Sequence, residues 1–79
     1  METPTPEQTQ QHITNAFDSV NLINTEIEKE MTPDQERKVK INYQHLELML
    51  SKDWFAASCT TQQITDINAA ITAGKAYIA

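Results

Sequence analysis

Glycine occurs once in these 79 residues, cysteine once and proline three times, with every proline before position 34. A chain so poor in turn residues cannot break into the many short strands of a sandwich or barrel, so an all-β fold is excluded. With Gly74 as its sole glycine it also has no glycine-rich phosphate loop, which removes the common nucleotide-binding folds. A single cysteine, Cys59, forms no intrachain disulfide, so the disulfide-stapled secreted class is excluded and a reducing, cytosolic setting is expected. No run approaches the roughly 20 apolar residues of a membrane span, and the start Met1-Glu2-Thr3-Pro4 has neither the basic region nor the apolar core of a signal peptide.

Basic residues are also scarce: six against eleven acidic ones, for a formal charge of −5. That sign opposes a phosphate backbone, so nucleic acid is not an expected partner. Nor is a membrane surface, which calls for a basic polar helix face. The charge is concentrated in Glu26, Glu28, Glu30, Asp34 and Glu36, followed directly by Arg37, Lys38 and Lys40, a pattern that reads as a solvated helix junction.

What remains is helical. The length sets one domain, and an apolar share of 39% is enough for a small folded core. Thr5-Pro6-Glu7-Gln8, Thr32-Pro33-Asp34-Gln35 and Thr60-Thr61-Gln62-Gln63 each match the capping box, in which Thr accepts from the first turn and Gln reaches back. Pro at the first helical position, with an acid after it, reinforces the first two. The expectation is an all-α three-helix bundle with antiparallel neighbours, helices at about 6–30, 33–53 and 61–77, and a frayed tail at 1–4.

On the first helix Ile13, Ala16, Phe17, Val20, Ile23, Ile27 and Met31 share an arc of about 120°, one buried face. The second is apolar on two sides. Val39, Tyr43, Leu46 and Leu50 form one stripe, while Ile41 and Leu48, joined by Phe55 if the helix continues, project roughly opposite. Neighbouring helices cover one side only, so something else should cover the other. A turn is expected around 51–59, with Trp54 plugging the end of the core and Phe55 facing outward. The third helix carries Ile64, Ile67, Ile71, Gly74 and Ile78 with alanines on its flank, and because Ile78 keeps the apolar phase the helix is expected to continue through Gly74.

The residues suggest no catalytic chemistry. His12, His45 and Cys59 fall on separate segments, no spacing suits zinc, and no oxygen-rich loop suits calcium. His12 is expected on a solvated face, His45 at a stripe boundary, Cys59 half-buried and Glu47 on the polar flank. Neither enzyme activity nor a cofactor is expected.

Tyr43-Gln44-His45-Leu46-Glu47-Leu48-Met49-Leu50-Ser51-Lys52-Asp53-Trp54-Phe55, followed by Ala69-Ala70-Ile71-Thr72-Ala73-Gly74-Lys75-Ala76-Tyr77, resembles the second half of short uncharacterised proteins encoded by marine tailed bacteriophages. The resemblance covers about half of the chain and brings no catalytic or binding residue with it. It implies a small accessory protein made in the cytoplasm of an infected bacterium, either a virion component or a modulator of a host protein.

The functional expectation is a protein–protein interaction module that pairs with a second copy of itself, most simply as a dimer, through Ile41, Leu48 and Phe55. The alternative is an acidic regulator that binds a basic host protein.

Overall fold

The computed structural model describes residues 4–79, and all its regular structure is helical: α1 Pro6–Glu26, α2 Pro33–Leu50, α3 Asp53–Ser58 and α4 Thr61–Ile78. The frayed tail expected at the N-terminus lies, for residues 1–3, outside the described residues. Four helices therefore replace the expected three.

Each long helix starts where its threonine announces it. Thr5, Thr32 and Thr60 are extended, and each side chain accepts from the backbone N–H three residues on, at 3.2, 3.1 and 3.1 Å. Gln8 and Gln63 close the reciprocal bond to the cap N–H at 3.0 and 2.8 Å. Gln35 does not: its amide is drawn instead to Glu26 across the α1–α2 turn.

The C-terminal ends depart further from expectation. α1 stops at Glu26 rather than near residue 30, and Ile27 to Lys29 form a turn held by Glu28 N–H to Thr25 O and Lys29 N–H to Glu26 O. Glu26, Glu28 and Glu30 crowd what would be the negative end of a longer helix, and α1 has no basic residue in its last turn to offset them. Met31, expected on the buried face, is consequently 46% exposed in the connection.

α2 ends at Leu50, where Ser51 N–H still bonds back to Glu47 and Leu48 and the Ser51 hydroxyl donates to Leu48 O. Lys52 then turns extended and α3 begins, where a plain turn was expected. This break changes the phase of the helix. Had α2 run on, Phe55 would sit seven residues beyond Leu48 on the outer stripe; after the break it points inward instead. Phe55 is fully buried, so its expected place at an external interface is corrected to the core. Trp54, expected as the plug, is half-buried, its ring 5.2 Å from that of His12.

The core is one cluster fed by all four helices: Ile13, Ala16, Val20 and Ile23 from α1, Val39, Tyr43, Leu46 and Met49 from α2, Phe55 from α3, and Ile67, Ala70 and Ile71 from α4. Its members recur at three- and four-residue spacing, so each long helix turns a single stripe inward. α4 runs unbroken to Ile78, with Gly74 inside it at ordinary helical φ and packed on Val39 and Tyr43 of α2.

Candidate functional site

α2 has its core stripe on one side and, on the other, the two most exposed large apolar side chains of the described residues, Ile41 at 58% and Leu48 at 55%. Seven residues apart, they lie within about 20° of each other around the helix. Exposed Gln44 and half-buried His45 flank the line between them, and Arg37 sits about one turn before Ile41. Arg37 is held only loosely, 3.6 Å from Asp34 with both side chains well exposed. Of the three residues expected to form an interface, the structure leaves Ile41 and Leu48 exposed two turns apart on the same side of α2 and buries Phe55.

A second feature lies at the α1–α2 corner, where Glu26 and Gln35 are both buried. The Gln35 amide donates to the Glu26 carboxylate at 2.6 Å and to the Glu26 backbone carbonyl at 2.9 Å, and Lys29 Nζ lies 2.7 Å from the same carboxylate oxygen. Tyr77, near the end of α4, donates its hydroxyl to Lys29 O at 2.7 Å, so three elements meet there. No buried side-chain polar atom among the described residues lacks a partner. The corner was hidden in the sequence because Gln35 also fits a capping box, and nothing local says which bond it makes.

The hydrogen bonds from Lys29 and then Gln35 hold the Glu26 carboxyl below its usual range, against an opposing push from burial. A depressed carboxyl contributes stability that is present above its unfolded pKa and is lost as pH falls through the folded one. Thermal melting followed from pH 7 down to about pH 3 should therefore show a loss of stability below the ordinary glutamate range. Glu26→Gln, which does not titrate, should melt lower at pH 7 and lose less on acidification. Equal acid sensitivity in the two proteins would remove Glu26 from the account.

The remaining reactive groups are dispersed. Cys59 is half-buried, and desolvation pushes its thiol up, away from the thiolate that a nucleophile requires. His12 leans on Trp54 rather than standing free on a solvated face. Glu47 is exposed as expected but not unpaired: Lys75 Nζ bonds its Oε2 at 2.7 Å and lies 5.7 Å from the centre of the Tyr43 ring. That bond to Glu47 raises the Lys75 pKa and ties α4 to α2.

Among the described residues no three His, Cys, Asp or Glu side chains gather as metal ligands, and no helix is long and apolar enough to cross a membrane. Two open clefts, of about 510 Å³ beside Trp54 and Ile13 and about 490 Å³ between Val20 and Ala70, have no converging charged groups at their centres. Glu28, Glu30, Asp34 and Glu36 are all exposed around Met31. Comparison with protein families, curated proteins and solved structures found no match for this chain.

Proposed function

We propose that this protein is a non-enzymatic interaction module that self-associates through the outer face of α2, and that it serves as a phage accessory protein in the cytoplasm of an infected bacterium. The observation that carries the association is the pair Ile41 and Leu48, each more than half exposed on one line of a helix whose other side is already packed. The phage setting rests on the resemblance of residues 43–55 and 69–77.

The energetics put the association in the weak range. Full burial of an Ile or Leu side chain is worth roughly 1.5–3 kcal/mol, and these are already nearly half covered, so a symmetric pair of faces gains about 4–6 kcal/mol from four side chains. Association costs about 4–15 kcal/mol in lost freedom. The rim must therefore supply the difference and a further net of about 4–7 kcal/mol for the dimer to populate between about one millimolar and ten micromolar, the range in which to look for it.

Sedimentation across that range should show wild type shifting from monomer to dimer. Leu48→Glu should remain monomeric throughout yet melt within about 0.5 kcal/mol of wild type, because the side chain it replaces is exposed in the monomer. Wild type that stays monomeric at one millimolar would sink self-association. The acidic corner around Met31 favours a second reading, capture of a basic host protein, and salt separates the two. Apolar self-association survives added salt, whereas an electrostatic complex weakens.

A further inference from the structure

The α1–α2 corner and the last turn of α4 are joined through one residue, Lys29. Glu26 holds Lys29 twice: its backbone carbonyl accepts the Lys29 N–H at 3.1 Å, and its carboxylate pairs with the Lys29 ammonium at 2.7 Å. Lys29 in turn offers its own carbonyl to the Tyr77 hydroxyl at 2.7 Å. We infer that the Glu26 carboxylate is the catch of an acid-released latch: protonating it frees the 27–29 turn, breaks the Tyr77 bond and lets the end of α4 lift while the rest of the bundle stays folded.

Burial confines the movement to that end. Up to Gly74, α4 is anchored by the buried Ile67, Ala70, Ile71 and Gly74 itself. Beyond it Lys75 and Ala76 are exposed and Tyr77 and Ile78 only half-buried, so the last turn relies on its side-chain hydrogen bonds more than the stretch before it does. Among the described residues two such bonds tie α4 to other elements, Tyr77 to Lys29 and Lys75 to Glu47. Losing the first bares Tyr77 and Ile78, which otherwise pack against the core.

The groups around the Glu26 carboxylate single it out as the trigger. Lys29 and the Gln35 amide bond it directly, and Lys38 of α2 adds a more distant positive charge. From α4 the neighbour at this corner is the Tyr77 hydroxyl. Glu28, Glu30 and Asp34 share the corner but are exposed, whereas Glu26 is buried there. Because its partners hold the carboxyl below its usual range, release comes below the ordinary glutamate range. Glu47, the other carboxylate tied to α4, is the control.

NMR followed from pH 7 down to about pH 3 tests the latch, with circular dichroism alongside to report total helix. As the Glu26 carboxyl carbon titrates, the Tyr77 ring signals should move with the same midpoint. Amide exchange in residues 75–78 should rise about two- to tenfold relative to the middle of α2, the worth of one hydrogen bond. Glu26→Gln should lack this coupled step, and Glu47→Gln should keep it. Tyr77→Phe, which removes only the hydroxyl, should show the faster exchange already at pH 7. If Glu26 titrates and the Tyr77 ring stays where it was, or if the step survives Glu26→Gln or vanishes with Glu47→Gln, the latch is overturned. It is equally overturned if Tyr77 moves only when helix is lost throughout the chain, or if Tyr77→Phe exchanges like wild type.

Discussion

Phe55→Ala should cost about 3–5 kcal/mol, the usual loss when a fully buried phenylalanine is cut back to a methyl group. Stability of about 0.05–0.15 kcal/mol per residue gives a chain of this length about 4–12 kcal/mol in total, so the variant would be largely unfolded at the lower end of that range. Urea denaturation of Phe55→Ala beside Trp54→Ala makes the test specific. Trp54 is the larger residue but only half-buried, at the edge of the core against His12, so its truncation should cost less. The reverse order would mean that α2 runs unbroken through Ser51 and that Phe55 faces solvent.

That pair of residues marks where the fold was and was not legible. The starts of the three long helices were readable because a cap is a local event, a threonine whose side chain satisfies one of the first free N–H groups, whereas α3 starts with no side-chain cap to announce it. Helix ends were not, because neither α1 nor α2 ends on a glycine or an asparagine that would declare the stop. α1 ends where acidic residues accumulate at the wrong pole of its dipole, and α2 ends at Ser51–Lys52, where no residue forbids a helix. The turn expected around 51–59 proved to hold a short helix, α3, whose phase α2 does not set, and one residue of phase moves a side chain by about 100°. Hence Phe55 is buried where it was expected outside and Trp54 packs half-buried at the core's edge, while Ile41 and Leu48, which lie before the break, are exposed on the outer side of α2.

The candidate surface was legible for a related reason. A second apolar stripe on a helix that already has a core stripe is visible in spacing alone, and the structure leaves Ile41 and Leu48 uncovered as that spacing implies. The Glu26–Gln35 corner was not visible. It joins residues nine apart across a turn and depends on where α1 stops, and Tyr77 reaches it from 48 residues away. Bonds of that kind are set by packing, with no periodic signature to announce them.

Gly74 is where α4 rests on α2, and substitutions there should separate helix propensity from packing. A Cβ at this position would lie 3.2 Å from Tyr43 Cδ2 and 3.2 Å from Val39 Cγ1, closer than ordinary contact. Gly74→Ala gains about 1 kcal/mol of helix propensity and loses a similar amount as the two side chains give way by a few tenths of an ångström, so its melting temperature should stay near that of wild type. Gly74→Val has no such balance. Two further methyl groups drive against Val39 and Tyr43, α4 must lift, and the Lys75 bond to Glu47 one residue along lifts with it. Overpacking of this kind costs about 1–3 kcal/mol, or roughly 5–20 °C of melting temperature in a domain of this size. Thermal melts of the three proteins decide the point: if Gly74→Val melts with wild type, α4 does not approach α2 at Val39 and Tyr43. With no Cβ at Gly74, Val39 and Tyr43 pack directly on the α4 backbone, and Lys75, the next residue, holds its Nζ 5.7 Å from the centre of the Tyr43 ring.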